Sequence, residues 1–511
     1  MSVARTWAVA LVGLEGTLVE VEADLSKQVP DFHIIGLADK ALGEAVQRVH
    51  NACANSGTPL PKRRLTVNLS PASLPKQGSG FDLAVAIAAL ATEDGMNPAS
   101  VGGTVHIGEL GLDGRLRPVA GILPAVIAAQ RAGHTRVVVP YANRGEAELV
   151  AGVEVHGAVT LAEVVRFHGA DVEVPEADPV TVEEMAEIEP RHLDLAEVIG
   201  QRDAVDALVV AGAGGHHLLM SGPPGAGKTM IAERLPGILP DLDDEAALRA
   251  ASIRSLSGTT VRTLTRTPPF EAPHHSASVA ALVGGGSRVV RPGAVARASE
   301  GVLFLDEATE YPASTLDALR QPLETGQIAI HRAGFTASFP ARFQLVVAAN
   351  PCPCGNHGLK SVECTCTPIM RRRYLGRISG PLLDRIDLQI WVPRITAAGL
   401  RLATERPGLS SAEARARVVA ARDIARDRLR GTPWRTNAEM PGPWMRGPGR
   451  LHPGGRASAA ADRALELGGL TMRGYDRVLK TAWTLADLEG ATAPTGEHVG
   501  RALFLRKGFD L

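Results

Sequence analysis

The chain is poor in aromatic residues, has nearly equal numbers of basic and acidic residues, and contains no long apolar runs. Each of these features disfavours one class of function. Aromatic residues fill only 4% of its 511 positions, which argues against stacking on nucleic-acid bases as the main mode of binding. The 54 basic and 55 acidic residues leave a formal net charge of −1, so any attraction of nucleic acid must come from a local basic patch. No apolar run approaches the ~20 residues that cross a bilayer, and we expect no membrane partner.

Cysteine is scarce as well. The chain has five cysteines, and residues 1–16 contain only a short apolar run broken by Glu15, which is too short for a signal peptide. Without an export signal a protein stays in a reducing compartment, where disulfide frameworks do not persist. The sequence therefore predicts a cytoplasmic protein, and its length predicts roughly two to four domains.

A glycine-rich loop follows a short apolar run at 218–221. It contains the pattern G-x-x-x-x-G-K-[ST], in which backbone N–H groups surround phosphate oxygens and the next helix adds the positive end of its dipole. Lys228 can reach the β- and γ-phosphates, and the Thr229 hydroxyl can bind Mg²⁺. The expected nucleotide-binding residues of the loop are Gly222, Pro223, Pro224, Gly225, Ala226, Gly227, Lys228 and Thr229. The sequence predicts a site for ATP with Mg²⁺.

Two further apolar runs end in polar residues that hydrolysis needs. The run 301–305 ends in Asp306, which we expect to bind Mg²⁺, and Glu307, which we expect to polarise the attacking water. The run 344–349 ends in Asn350. This order of motifs resembles that of AAA+ ATPases, in which such an amide is the sensor 1 residue that orients the water.

Two segments contain arginines that are candidates for contact with the γ-phosphate. The segment SGPLLDRIDL at 379–388 resembles the arginine-finger segment of the MCM and magnesium-chelatase branch of these ATPases, so Arg385 would act in the site of a neighbouring subunit. A local salt bridge is the alternative role for Arg385. The segment 470–479 resembles the sensor 2 helix of the same branch, with Arg473 as first candidate and Arg477 as second.

Two insertions separate these motifs. Residues 270–276, FEAPHHS, lead to a glycine-rich stretch and could form a moving loop at the pore of a ring. The adjacent pair His274–His275 suits packing or a phosphate contact better than a metal site. The second insertion, 327–339, alternates like a hairpin, and Arg332 at its tip could touch a nucleic-acid backbone. Either insertion could instead be structural.

Four of the five cysteines lie close together in the sequence. They are Cys352, Cys354, Cys364 and Cys366. Two thiol pairs favour a Zn²⁺ knuckle at 352–366, although the C-x-C spacing is tighter than the usual C-x₂-C. The alternative is a run of small free thiols. The basic turn 371–373 that follows could contact phosphate or face solvent.

Residues 1–170 alternate strand-like and helix-like segments. We expect strands at 7–14, 17–25, 64–69 and 136–140, helices at 40–56 and 122–132, and a hairpin at 108–121. This order resembles the Lon-type protease domain, an α+β fold of the ribosomal S5 domain 2 class. The serine position of the Lon pattern aligns with Gly80, or with Ser79 after a shift of one, and the lysine position aligns with Leu123. Because leucine cannot act as a base, we expect a non-proteolytic domain that serves assembly or binds a protein partner.

The remaining boundaries follow from composition and from the motifs. Residues 171–190 are acidic and irregular, as expected of a solvated linker. Residues 191–395 carry the ATP motifs and are expected to form an AAA+ P-loop α/β core. Residues 396–511 return to helical patterning and are expected to form a helical lid that contains sensor 2.

Several motifs together resemble the YifB/ComM family of magnesium-chelatase-like AAA+ ATPases over nearly the whole chain. They are GPPGAGKT, FEAPHHS, GVLFLDE, NPCPCG and RISGPLLDRIDL. The segments 294–300 and 308–309 depart from the usual family pattern without touching the phosphate motifs. The resemblance implies an α/β multidomain protein, a homo-hexameric ring and an ATP-driven motor that migrates single-stranded or branched DNA in recombination or natural transformation. The alternative is a protein-remodelling or magnesium-chelatase-like ATPase subunit that acts on a protein partner.

Overall fold

The computed structural model describes residues 3–36, 40–76, 78–181, 193–286, 290–332, 335–359, 362–397, 400–401 and 408–506. Within these ranges, none of the helices combines the length and the apolarity that crossing a membrane requires. The described part of the expected linker, 171–181, contains no helix or strand. The other expected linker residues, 182–190, lie outside the described ranges.

The N-terminal part is a mixed sheet with helices packed on it. Its elements are β1 (Ala4–Val12), β2 (Glu15–Ser26), β3 (Asp31–Ile35), α1 (Lys40–Asn55), β4 (Arg64–Ser70), α2 (Asp82–Leu90), α3 (Pro98–Gly102), β5 (Val105–His106), β6 (Glu109–Leu110), β7 (Leu116–Arg117), α4 (Ile122–Arg131), β8 (Arg136–Pro140), α5 (Arg144–Ala147), β9 (Glu154–Ala158) and α6 (Leu161–Phe167). The seven-stranded sheet has the order β3-β4-β2-β1-β5-β8-β9. The antiparallel pairing of β1 with β2, and the turn at Asp113–Gly114 between β6 and β7, confirm the strand pair and the hairpin expected from the sequence.

Alternation along β1 explains why this sheet is covered on both sides. Ala8 and Ala10 face one apolar cluster, which includes the residues of helix α2 that follow Asp82. Val9 and Leu11 face a second cluster, which includes α4. Because successive side chains of a strand point to opposite faces, one strand contributes to two cores.

The central part is built on a five-stranded sheet. Its elements are α7 (Arg202–Gly214), β10 (Leu218–Ser221), α8 (Lys228–Ala232), α9 (Leu235–Ile238), α10 (Asp244–Leu256), β11 (Phe270–Glu271), α11 (Val279–Val283), β12 (Gly284–Gly285), β13 (Arg291–Pro292), α12 (Ala294–Arg297), β14 (Val302–Leu305), α13 (Ala313–Asp317), α14 (Arg320–Thr325), β15 (Gln327–Arg332), β16 (Phe335–Pro340), β17 (Gln344–Ala349), α15 (Pro368–Leu375), α16 (Gly380–Leu383) and β18 (Leu388–Trp391). The sheet has the order β11-β14-β17-β10-β18, and every pair in it is parallel. Strands β10, β14 and β17 are buried along their whole length. Burial on both faces explains why these strands are continuous apolar runs in the sequence.

The described C-terminal elements are helical. They are α17 (Ser411–Arg428), α18 (Gly442–Arg446), α19 (Gly455–Glu466), α20 (Met472–Leu488) and α21 (Gly496–Arg506). Buried residues of α17 and α20 share one apolar cluster with Leu218 and Met220 of β10. These helices therefore pack on one face of the central sheet, against the strand that leads into the glycine-rich loop.

The N-terminal part packs directly on the central part. Leu123, at the position aligned with the Lon-type lysine, is fully buried in a cluster that also contains Ala251 of α10. Its backbone N–H donates to Ser255 Oγ at 3.4 Å. A side chain buried in this way has no access to a peptide substrate. That this domain is non-proteolytic stays a prediction.

Two buried histidines form a hydrogen-bonded chain inside the N-terminal part. His106 Nδ1 lies 2.7 Å from Thr6 Oγ1, its Nε2 lies 2.8 Å from His168 Nε2, and His168 Nδ1 lies 2.9 Å from Ser100 Oγ. At the contact between the rings, one Nε2 must donate and the other must accept. Burial lowers the pKa of His168 to about 4 and lowers the pKa of His106 well below its ordinary value. The pair is therefore neutral at pH 7.

This pair predicts a measurable effect of acid on stability. A histidine whose pKa falls on folding stabilises the native state above the unfolded pKa of 6.5 and loses this contribution as the pH falls toward about 4. Between pH 7 and pH 5, we expect His168→Gln to lose ~2 kcal/mol less free energy of unfolding than the parent chain. Urea unfolding at both pH values measures this difference.

The test compares variants with the parent chain because buried acids change the free energy of unfolding with pH in the opposite direction to buried histidines. Burial raises the pKa of Glu146 to about 7 and that of Asp82 to about 6, so both contribute more stability at pH 5 than at pH 7. The exposed His50 offers a control, and His50→Gln should follow the parent chain. Equal losses in the parent and in His168→Gln would contradict the assignment.

Candidate nucleotide-binding site

The expected phosphate-binding residues lie at the carboxyl ends of the three central strands. The register pairs Ser221 at the end of β10 with Ala349 of β17 and with Trp391 of β18. Since parallel strands end at the same edge of a sheet, the loop after β10 and Asn350 after β17 are brought together. The strand before the loop and the helix after it are present as the sequence predicted.

The backbone of the loop forms an open cradle. Gly225 has φ +75° and Gly227 has φ +90°, a region that side chains other than glycine rarely adopt. An added Cβ at either glycine would meet no atom within 4 Å. At Gly222, in contrast, a Cβ would lie 2.2 Å from the carbonyl oxygen of Val392. The loop is thus fixed against the neighbouring strand at its start and open at its centre.

Lys228 is buried and turns into the loop. Its Nζ donates to the carbonyl oxygens of Gly222 at 2.6 Å and Pro223 at 3.1 Å, and to Asn350 Oδ1 at 3.1 Å. Burial lowers the pKa of Lys228, and the carboxylates of Asp306 and Glu307 oppose this shift. The amine therefore already contacts the residue that the sequence predicted to orient the water.

Asp306 joins the loop to β14. Its Oδ2 accepts a hydrogen bond from Thr229 Oγ1 at 2.6 Å, and its Oδ1 accepts one from the backbone N–H of Glu307 at 2.8 Å. A hydroxyl and a carboxylate are hard oxygen donors of the kind that Mg²⁺ prefers. The donor set therefore fits the ion predicted for Thr229 and Asp306.

Glu307 has an unusual backbone conformation and a partner that the sequence did not indicate. Its φ is +48°, which is strained for a residue with a side chain. Its Oε2 lies 3.2 Å from His275 Nδ1, and the ring of His275 lies 4.1 Å from that of His274. His275 follows β11, which pairs with β14. The parallel neighbour strand explains why a histidine of the first insertion reaches the predicted base.

Hydrogen bonds of Gln201 and Pro273 hold two segments of the site in place. The Gln201 amide donates to the carbonyl oxygens of Ala226 at 3.1 Å and Pro393 at 2.6 Å. Tyr311 donates its hydroxyl proton to the carbonyl oxygen of Pro273. These bonds tie the glycine-rich loop and the start of the first insertion to the central sheet.

The structure places Arg385 in a local ion pair. Its Nη2 contacts Glu324 Oε1 of α14, and its Nη1 donates to the carbonyl oxygen of Pro381 at 2.6 Å. This is the alternative role considered from the sequence. Within a single chain, Arg385 has no described contact with the glycine-rich loop, so an arginine-finger role requires a second subunit.

The two sensor 2 candidates have different environments. Arg473 is exposed at the start of α20, whereas Arg477 Nη1 donates to Asp387 Oδ1 at 2.5 Å. Asp387 is 1% exposed, and its Oδ2 also accepts from the backbone N–H of His217 at 2.9 Å. Although burial acts to raise it, Arg477 and the neighbouring histidines hold the pKa of Asp387 well below its ordinary value. Arg477 thus anchors the C-terminal helices, which leaves Arg473 as the candidate for a phosphate contact.

The two insertions form one surface. Strands β15 and β16 pair as the expected hairpin, from Gln327↔Pro340 to Arg332↔Phe335, while Gly334 at its expected tip lies outside the described residues. Arg332 Nη2 donates to the carbonyl oxygen of Gly286 at 2.5 Å. This bond joins the hairpin to the glycine-rich stretch that follows the first insertion.

The clustered cysteines also converge. The Sγ atoms of Cys352, Cys354, Cys364 and Cys366 all lie within 4.8 Å of one another. The cluster follows Asn350 directly, so it lies beside the nucleotide site.

Comparison with known proteins agrees with this arrangement. Residues 194–400 match the family described as magnesium chelatase, subunit ChlI, while residues 21–143 match subunit ChlI of Mg-chelatase and residues 408–506 match the C-terminal region of subunit ChlI. An uncharacterized protein of Mycobacterium tuberculosis is 47% identical over 514 residues, which cover 99% of each chain. Competence protein ComM of Haemophilus influenzae is 40% identical over 508 residues, covering 99% of this chain and 98% of that protein. The uncharacterized protein YifB of Escherichia coli is 38% identical over 507 residues, covering 99% and 97%.

The contact between His275 and Glu307 predicts a restraint on turnover. If the imidazole holds the carboxylate away from water, His275→Ala should raise the basal rate of ATP hydrolysis up to about fivefold, the equivalent of a half-exposed ion pair. A coupled phosphate-release assay measures this rate. The matched control is His274→Ala, since the His274 ring instead contacts Ser276 Oγ at 2.8 Å. An unchanged or lower rate in His275→Ala would contradict the restraint.

Proposed function

The chain belongs to the YifB/ComM family of magnesium-chelatase-like AAA+ ATPases, and we propose that it is a homo-hexameric motor that uses Mg-ATP to move on DNA. The observation that carries the proposal is the 3.2 Å contact between His275 and Glu307. It joins the first insertion to the carboxylate that would polarise the attacking water. A motor needs such a link, because substrate contact must alter hydrolysis and hydrolysis must move the substrate contact.

The glycine-rich loop provides the place for the phosphates. The space at Gly225 and Gly227 is open, so phosphate oxygens could approach the backbone of the loop there. Lys228 would exchange its present carbonyl acceptors for the more strongly charged β- and γ-phosphate oxygens. Thr229 and Asp306 would hold Mg²⁺, which supplies charge neutralisation on those phosphates.

The chain's own residues would then position the water. Glu307 would take a proton from the water as it attacks, and the Asn350 amide would hold that water in line. Arg473 at the start of α20 would contact the γ-phosphate from the side of the C-terminal helices. Arg385 of a neighbouring subunit would stabilise charge that develops on the transferred group.

Exposed arginines support DNA as the substrate. Arg332 lies on the joined insertions, and Arg372 and Arg373 are exposed on α15. Arginine side chains of this kind contact phosphates without regard to sequence. The low aromatic content fits a motor that follows the backbone more than the bases. Such a motor would act on single-stranded or branched DNA, as in branch migration during recombination.

A protein substrate is the second candidate. The match of the core to a magnesium chelatase subunit favours it, since the same ring could act on a protein partner. The N-terminal part would recruit that partner. Stimulation of ATP hydrolysis distinguishes the two candidates.

The first test compares ATP hydrolysis with and without forked DNA. We expect forked DNA to raise the rate roughly tenfold, a typical coupling between two binding sites. In Glu307→Gln the rate should fall ~10²- to 10⁴-fold, because the general base is lost while ATP binding remains. Turnover that responds to no DNA structure, in a chain that still hydrolyses ATP, would favour the protein-directed ATPase.

The second test asks whether Arg385 acts in a neighbouring site. Arg385→Ala should lower the rate ~10³-fold or more, as loss of an arginine finger does, whereas Glu324→Gln, which breaks the same ion pair, should retain activity. Mixing Arg385→Ala subunits with Glu307→Gln subunits should restore turnover. In the mixed ring, some sites receive Glu307 from one subunit and Arg385 from the other.

Two results would overturn the shared site. The first is a mixture that stays as inactive as its components although both variants assemble into rings. The second is an equal loss of activity in Arg385→Ala and Glu324→Gln, which would make the ion pair structural.

A further inference from the structure

We propose that the four cysteines of loop 352–366 bind a zinc ion and that this ion holds the loop against the phosphate-binding loop. The ligands would be Cys352, Cys354, Cys364 and Cys366, which come from one segment directly after Asn350. The proposal goes beyond ATP hydrolysis because it assigns a second, structural metal to the nucleotide site.

The distances between the sulfur atoms fit a tetrahedral zinc site. Sγ of Cys352 lies 3.4 Å from that of Cys354 and 3.7 Å from that of Cys364, and Sγ of Cys354 lies 3.6 Å from that of Cys364. A Zn–S bond of ~2.3 Å places tetrahedral ligands ~3.8 Å apart. Disulfide bonding would need sulfurs at ~2.05 Å, and all four thiols are free. The cluster therefore has the dimensions of a closed site with four sulfur ligands.

Backbone amides surround the sulfurs in the way that supports thiolates. The N–H groups of Asn356 and His357 donate to Sγ of Cys354 and Cys352, and the N–H of Cys354 donates to Sγ of Cys366. Such donors orient metal ligands and disperse the charge of four thiolates around one divalent ion. Small buried thiols that serve only in packing would not require them.

The same loop contacts the phosphate-binding loop and β18. Gly355 has φ +74°, and a Cβ there would lie 2.6 Å from Pro224 Cδ. A Cβ at Gly358 would lie 3.2 Å from the Trp391 ring. The cysteine loop thus lies between the two segments that follow β10 and β18, with Asn350 at its start.

This placement makes the zinc a positioning element for the nucleotide. Without the ion, little would stabilise the conformation of the loop, because a 15-residue segment with few apolar side chains has no hydrophobic core of its own. Pro224 and Asn350 would then lose their packing partner. We expect weaker ATP binding as the consequence; this part rests on the proposed function, whereas zinc content does not.

Metal content of the full chain is the direct test. Elemental analysis of protein purified without added metal, and again after incubation with zinc chloride and desalting, should give about one zinc and no iron per chain. Cys364→Ser should lose the zinc. The fifth cysteine supplies the control, since Cys53 is buried in the N-terminal part and Cys53→Ala should keep it.

Binding of a fluorescent ATP analogue tests the positioning role. The dissociation constant should rise about 10- to 100-fold in Cys364→Ser and remain unchanged in Cys53→Ala, with circular dichroism confirming that both variants are folded.

Each part can be overturned separately. Less than about a tenth of a zinc per chain after incubation with zinc chloride, iron in its place, or zinc retained in Cys364→Ser would overturn the site. Loss of zinc in a folded Cys364→Ser variant with unchanged analogue binding would overturn the positioning role. A chain that holds zinc but hydrolyses no ATP would contradict the proposed function and leave the metal site standing.

Discussion

The position of β10 between β17 and β18 determines the rest of the nucleotide site. All three strands are parallel and in register at Ser221, Ala349 and Trp391, so the chain leaves each of them at one edge. The loop after β10 must then pass the strand beside it. Gly222 meets that need, since any side chain there would collide with the carbonyl of Val392. The positions of the glycine-rich loop, the Asn350 amide and the cysteine loop all result from this order of strands.

The buried ion pair of Asp387 with Arg477 fixes the C-terminal helices to the same sheet. Asp387 immediately precedes β18, and Arg506 adds a bond to the backbone carbonyl of Ile386. Removing one member of such a buried pair typically costs about 3–5 kcal/mol, because the other charge stays desolvated. Helix α20, which carries Arg473, is therefore firmly anchored to the central sheet. Any movement of Arg473 toward the phosphates must come from motion around this anchor.

The sequence predicted those parts of the fold that are long or fully buried. Buried parallel strands are continuous apolar runs, so β10, β14 and β17 and the polar residues after them were placed correctly. Strand β11 has two residues, too few for any periodicity, so the contact of His275 with Glu307 was missed. The buried ion pair of Asp387 was not predicted, because this residue lies in a segment that resembles an arginine finger. The role of Arg385 depends on a second subunit, and no pattern within one chain encodes that contact; its role, like those of Asn350 and Arg473, remains a prediction.

Glu307 and Arg385, the two charged groups proposed to act at the γ-phosphate, are both paired within the single chain. The carboxylate of Glu307 is 51% exposed in its pair with His275. In the other pair the Glu324 carboxylate is 55% exposed, while the Arg385 side chain is 12% exposed. Exposed ion pairs contribute about 0–1 kcal/mol, much less than a buried pair such as that of Asp387.

These weak pairs suit groups that must change partners. In the proposed hexamer, docking of a neighbouring subunit or contact of DNA with the insertions would supply several kcal/mol and so release either residue. A chain whose pair at Asp387 is buried, and whose pairs at Glu307 and Arg385 each include a half-exposed carboxylate, can stay rigid at the sheet. In the proposed motor, the two half-exposed pairs would be the ones that change on assembly and substrate binding.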